Sequence, residues 1–523
     1  METDKDYSYI AEKNSKKIVD LFNNYINELY SLNNLNDLSL ISSLTQRNTF
    51  TSKLFPYIER IFVLNQLKLL GRHDVKHIQS TELLKQKITF SLKLKFYFFL
   101  IFWSIAKNFL PKNNELNKYK NDLFLEIFEN GSKGSDLGSH YYPNLSEKIA
   151  FSQNKICYLI NALNINSFGD VIRLRKKIVR SNFDYIFYDV ELKFRDICKY
   201  FKDCEDASKN YVNIPNFLGI NMRPIFTRIL EEEKYSRTNL FAHFKYRKFL
   251  DDDAYSKQST ILLWNENHAY DRALCLANKR RQKKLNLVGH AGYIESKEKN
   301  CLTITRYERV NGVVPNKVFK LFKTKDDIKS YQAPAFRYDT FFNDIELTEP
   351  KENVVIAFPL AKYQMNLMKL IETAQKLKDL NINFEYKFHP LQTYEQKKLI
   401  KQLLSQAPSN EKLASLLAKS KILISSGLSG VYLDAFFFLT PSINLTVNKN
   451  IDNNIFANPA LFTRKDQRNF EQFYFIADKF STVKKLVDNP PIISFESKNN
   501  LKNAFINPDS SNIMAFFNDV KKT

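Results

Sequence analysis

Two stretches in the second half of the chain pass from continuous apolar residues into a polar loop and then into helical spacing. They are NINFEYKFHP at 381–390 and KILISSGLSGVYLDAFFFLTPSINL at 421–445. A short apolar run closed by polar residues predicts a strand buried on both faces, the environment of a parallel sheet. Around them, VVIAFPL (354–360) predicts a strand and YQMNLMKLIETAQKLKDL (363–380) a helix with apolar residues three and four apart. Helices are predicted over 394–406, 411–420 and 430–438, and a short strand over 441–446. This alternation predicts an open parallel sheet with helices on both faces.

The same rhythm occurs earlier. DLFLEIF (122–128), KICYLINAL (155–163), STILLW (259–264) and LNLVGHAG (285–292) read as strands, and AYDRALCLANKRRQKK (269–284) as a helix between two of them. FDYIFYDV (183–190) fits strand or helix, and 226–253 is a charged helical tract. A polar, acidic stretch around Pro350 predicts a linker at 341–352. The pattern divides the chain into an N-terminal helical extension (1–118), a Rossmann-like domain (119–340), the linker, a second Rossmann-like domain (353–480) and a tail region (481–523) expected to return to the first domain.

Size supports two cores, because 523 residues exceed what one core sustains. The charge of +22, from 78 Lys and Arg against 56 Asp and Glu, predicts attraction to polyanions: nucleic acid, anionic lipid or an acidic nucleotide-activated sugar. Five scattered cysteines form neither a disulfide framework nor a zinc-binding pattern, which predicts a reducing compartment. METDKDYSYIAEKNSKK has no secretory pattern, so a cytoplasmic location is expected. FYFFLIFWSIA (96–106), flanked by Lys93, Lys95 and Lys107, is too short to span a bilayer. It fits either a buried helix or an interfacial one.

Loops after parallel strands gather at the carboxyl edge of a sheet, where ligands bind and helix N-termini favour anions. His389–Pro390 and the loop carrying Ser425, Ser426, Gly427 and Ser429 are such loops, and together they suit a phosphate. Alone, His389–Pro390 reads as a loop histidine before a turn. Asp136 lies in the Gly-rich loop after 122–128 and is a candidate general base, or a turn residue. Glu266, beside Asn267 and His268, is a candidate base, an acceptor-orienting group or a helix cap. Arg337 suits a bidentate grip on a carboxylate or an interdomain ion pair. Asp251, Asp252 and Asp253 read as a solvated helix end, so no metal site is expected.

WNENHAYDRAL (264–274), LVGHAG (287–292), APAFRYD (333–339), FEYKFHP (384–390) and SSGLSGVYLDAFFFLTPSI (425–443) together resemble bacterial surface-carbohydrate glycosyltransferases related to ulosonic-acid transferases. The resemblance covers about 122–470. It implies the GT-B architecture, two Rossmann-like domains facing across a cleft, and a CMP-activated Kdo, sialic or related nonulosonic acid as donor. By that resemblance His389–Pro390, Ser425, Ser426 and Ser429 hold the nucleotide, and His290 belongs to the substrate site. It also implies no tightly bound cofactor, no metal, a glycan or glycolipid acceptor, and a peripheral place on the cytoplasmic face of an anionic inner membrane. The short acidic-acidic-Gly motif of some bacterial sialyltransferases has no certain counterpart here. CDP-dependent polyol-phosphate transferases share the C-terminal pattern and are the alternative. A nonenzymatic membrane scaffold or a nucleic-acid protein, suggested by KRRQKK (279–284), is the reading from another class, although no nucleic-acid recognition module accompanies it.

Overall fold

The computed structural model describes residues 10, 11, 13–33, 50–70, 90–112, 123–129, 136–138, 142, 144, 145, 148, 156–162, 165–181, 183–251, 260–264, 269–281, 285–290, 311–315, 330–334, 336, 339, 352–359, 364–389, 392, 394–427, 429–446, 473–494, 496 and 510–521. They fall into two compact units. The amino-terminal unit comprises Lys16–Pro315, Lys323–Arg337 and Pro508–Thr523, and the carboxyl-terminal unit Met1–Ser15, Asn316–Phe322 and Tyr338–Asn507.

The amino-terminal unit opens with helices α1 (Ser15–Leu32), α2 (Phe50–Leu69) and α3 (Phe90–Ala106). Its strands are β1 (Leu123–Glu129), β2 (Ile156–Ala162), β3 (Asp184–Ile186), β4 (Thr260–Trp264), β5 (Asn286–His290), β6 (Asn311–Pro315) and β7 (Ser330–Ala333). Helices α4 (Phe168–Arg180), α5 (Phe194–Lys209), α6 (Arg223–Glu233), α7 (Arg237–Asp251) and α8 (Ala269–Arg280) lie between them in sequence. The strands form one parallel sheet in the order β3-β2-β1-β4-β5-β6-β7. All seven residues of β1 and of β2 are buried, as a sheet covered on both faces requires. Ser167 caps α4 in a reciprocal capping box with Asp170, so the helix start is written locally.

Helices α1 and α2 pack on α6 in a core of their own, built from Phe22, Tyr25, Leu29, Leu54, Ile58, Phe226 and Ile229. Helix α3 instead sends Phe96, Phe99, Trp103 and Ala106 into the main core. The tract 226–253, a single helical region on its pattern, is two helices broken around 234–236. FDYIFYDV becomes the three-residue β3 and a 3-10 turn over Tyr188–Glu191.

The carboxyl-terminal unit holds β8 (Asn353–Ala357), α9 (Gln364–Asp379), β9 (Phe384–Lys387), α10 (Tyr394–Leu404), α11 (Leu413–Ala418), β10 (Ser420–Ser426), α12 (Val431–Phe437), β11 (Ser442–Leu445), β12 (Tyr474–Ala477) and α13 (Phe480–Asp488). Its sheet is also parallel, in the order β12-β11-β10-β8-β9. Helix α9 buries Leu367, Leu370, Ile371, Ala374 and Leu377 against it. Val483 and Val487 of α13 join the same core, so the unit runs on to Asn507 where the pattern placed its end at 480. Helix α14 (Ser510–Lys521) then returns to the amino-terminal unit. It packs on β7, accepts a hydrogen bond at Val520 O from Asn286 Nδ2 at 2.9 Å, and stacks Phe517 on Phe336. The linker expected at 341–352 lies outside the described residues except for Glu352.

Candidate functional site

In each sheet the chain leaves its starting strand in one direction and later resumes on that strand's other side. The reversal falls between β1 and β4 in the first sheet and between β8 and β10 in the second. At such a point the two loops leaving the carboxyl ends diverge, and a crevice opens for a ligand.

In the second sheet β8 ends at Ala357 and β10 at Ser426, side by side at this point. Ser425 Oγ donates to Ala357 O at 2.7 Å, and Ser426 Oγ donates to Leu445 O at 2.7 Å. Both serines are buried, so their hydroxyl hydrogens fasten β10 to its two neighbours. Gly427 then turns the chain with φ of +75°, the left-handed region that glycine adopts at least cost. Its N–H donates to Asn444 Oδ1 at 2.9 Å, and Asn444 Nδ2 donates to Tyr474 OH at 2.6 Å. Among the described residues, adjoining ones aside, no atom lies within 4 Å of where a Cβ would stand on Gly427 or Gly430, so these two positions are open to close approach. Ser429 Oγ accepts from Val431 N at 3.3 Å at the start of α12.

His389 stands beyond the end of β9, on the same carboxyl edge and half-buried. Burial, and then the charge of Lys397, hold its imidazole below the ordinary histidine pKa. It is therefore neutral at neutral pH, with one ring N–H to donate and one nitrogen to accept. Gln392 fixes this corner. Its Oε1 accepts from His389 N at 3.2 Å, and its Nε2 donates to Pro359 O at 3.0 Å, tying the β9 exit to the β8 exit. Gln392 and Asn444 went unrecognised in the sequence. The available signals were a buried Asn inside an apolar strand and a Gln three residues after a strand-end histidine.

In the first sheet Asp136 is exposed in the loop that follows β1. Glu129, the last residue of β1, holds that loop: its Oε1 accepts from Gly138 N at 2.7 Å and its Oε2 pairs with Lys177 Nζ at 3.0 Å. Burial pushes the Glu129 carboxyl up, against the Gly138 N–H and the Lys177 charge. Gly138 has φ of +75°, and a Cβ there would stand 3.0 Å from the Tyr158 ring, so this turn demands glycine. His290 is the last residue of β5, in register with Trp264 at the end of β4. Glu266, Arg337 and Pro390 lie outside the described residues.

The structure thus gathers His389, Ser425, Ser426, Gly427 and Ser429 on one sheet edge. It sets Asp136 and His290 at strand exits of the other sheet. Among the described residues no group of three or more His, Cys, Asp and Glu is disposed to hold a metal ion. Among the described residues no helix is long and apolar enough to cross a membrane.

What the two sheets define is a doubly wound α/β protein with two Rossmann-like units and added N-terminal helices. No family model matches the sequence, and no curated protein matches it. Among solved structures it is similar to the glycosyltransferase SnogD from Streptomyces nogalater, at 12% identity over 77% of this chain and 99% of that one, with a TM-score of 0.38. MurG of Acinetobacter baumannii matches at 11% identity over 76% and 99% of the two chains, with a TM-score of 0.34. TarM of S. aureus, solved with UDP, matches at 11% identity over 77% and 99%, with a TM-score of 0.39. At these scores it is the sheet topology, not the likeness, that defines the class.

Proposed function

We propose that this chain is a nucleotide-sugar-dependent glycosyltransferase of GT-B type, moving an ulosonic acid from a CMP-activated donor to a glycan or glycolipid acceptor at a membrane surface. The observation that carries the reading is the carboxyl edge of the second sheet. There His389, beyond the end of β9, and the open positions Gly427 and Gly430, after β10, border the switch point between β8 and β10. In this role the imidazole N–H and the Ser429 hydroxyl donate to the nucleotide phosphate, while Ser425, Ser426 and Gln392 keep the strand exits in place.

In the transfer step the acceptor oxygen bonds to the anomeric carbon. The bond from that carbon to the phosphate oxygen breaks, and its electron pair leaves with CMP. The acceptor proton goes to a carboxylate, for which Asp136 is our choice, with Glu266 orienting the hydroxyl and His290 and Arg337 holding the sugar. Hydrogen bonds to the departing phosphate strengthen as its charge grows, which is where such donors act.

Calorimetric titration of CMP, CDP and UDP into wild type and His389→Ala tests the nucleotide site. CMP should bind wild type best and His389→Ala more weakly, and in turnover assays His389→Ala should lose about 2–4 kcal/mol of transition-state stabilisation. CDP preference would move the chain to polyol-phosphate transfer, and no binding of any nucleotide would overturn the reading. Asp136→Asn keeps the shape and removes the base, so CMP affinity should hold while turnover falls about a hundredfold. Full turnover with a dead Glu266→Gln would pass the role to Glu266.

A further inference from the structure

Helix α3 buries one face and leaves the other bare. Phe96, Phe99, Trp103 and Ala106 enter the core, while Leu94, Phe98, Ile101 and Ile105 point outward, Phe98 and Ile101 each 61% exposed. Spacings of three and four residues place the outward set in a single stripe. The stripe does not stop with the helix. In the turn after α3, Phe109 is 50% exposed and its ring lies 5.9 Å from that of Phe168, the first residue of α4. Phe102 and Phe168 are 5.2 Å apart, and the exposed Ile172 follows one turn along α4. Two elements far apart in sequence therefore build one apolar, partly aromatic face.

Its surroundings are cationic. Lys95 and Lys112 are exposed at α3 and just beyond it, and Arg175, Lys176 and Arg180 are exposed on α4. Asp170 is the sole acidic residue in 90–112 and 168–180, and Arg173 pairs with it at 2.6 Å. Helix α3 is not long and apolar enough to cross a bilayer and buries its other face in the core, so its bare face can meet a bilayer only from the surface. Exposed apolar side chains ringed by lysine and arginine match the acyl boundary and the anionic headgroups above it. The acids that border the face are paired with cations, Asp170 with Arg173 and Glu231 with Lys93 at 3.8 Å, so the unpaired charge around it is positive.

We propose that the face built by α3, the turn at 107–109 and the start of α4 docks onto an anionic lipid bilayer. It lies wholly on the amino-terminal unit and does not depend on which nucleotide the other unit takes, so nucleotide binding and vesicle binding fail separately. The test is flotation of the full chain with vesicles of phosphatidylcholine alone and of phosphatidylcholine with phosphatidylglycerol. Wild type should float with the anionic vesicles, less so at high salt. Phe98→Glu with Ile101→Glu, and separately Arg175→Glu with Lys176→Glu, should each lower the binding constant about tenfold or more. Ile492→Glu, at an exposed apolar residue of the other unit, should leave it unchanged. All these positions are exposed, and a thermal melt of each variant checks that it folds. No flotation of wild type, or flotation of both double variants equal to wild type, overturns the proposal. So does a dimer in sedimentation equilibrium that the same substitutions disperse without any vesicle binding, since a second copy would then cover the face.

Discussion

His243 sits on α7 with no exposure, and among the described residues neither ring nitrogen has a hydrogen-bond partner. Its ring meets Tyr200 edge-on at 5.2 Å. Burial, and then the nearby Arg247, lower its pKa from 6.5 to about 3. The unfolded chain takes up this proton as pH falls through 6.5, and the folded chain not until about 3. The unfolded state therefore binds more protons in that window, and stability rises with pH across it. The contribution is fully present above 6.5 and is lost progressively toward 3, by up to about 1.4 kcal/mol per pH unit. Denaturant unfolding of wild type and His243→Phe from pH 7 to 4 should show the slope reduced in the variant. Equal slopes would place the acid sensitivity elsewhere. Individual residues were also where the sequence was least legible. Ser425 and Ser426 stood out as phosphate ligands, yet their hydroxyls bind carbonyls of strands 68 and 19 residues away, pairings that no local pattern encodes.

Single elements were read more fully, because burial on two faces writes itself as continuous Leu, Ile, Val and Phe. Strands β1, β2 and β10 and helix α9 lie within a residue or two of their sequence patterns, and β8 stops three residues short of its own. What the pattern missed is the polar residue inside an apolar strand. Glu129 ends β1 fully enclosed, and only the fold reveals that Gly138 and Lys177 meet it. Glu129→Gln keeps the hydrogen bond from Gly138 but removes the partner of a buried lysine, a loss of about 3–5 kcal/mol. Chemical denaturation should show it, and Glu129→Gln with Lys177→Met should recover much of the difference. If the double variant is no more stable than the single, the cost lies in the turn rather than in the charge. Helix α3 was ambiguous between core and interface for a physical reason: it carries large apolar residues on its exposed face as well as on its buried one.

Across the whole molecule, the two parallel sheets followed from the β-α-β rhythm, but their boundaries did not. Where a unit ends is decided by which core a late helix joins, and α13 and α14 join different ones. Phe517 of α14 is fully buried on Phe336, so Phe517→Ala should cost about 3–5 kcal/mol in denaturant unfolding. A loss below about 1 kcal/mol would mean that α14 contributes little to this core. The return of α14 also orders events during synthesis. Strand β7 and Phe336 meet α14 only once that helix has left the ribosome, after every residue of the carboxyl-terminal unit has been made. The earlier unit is thus the later one to be completed, and a chain stalled in translation before residue 510 carries a first sheet whose final strand has not been sealed.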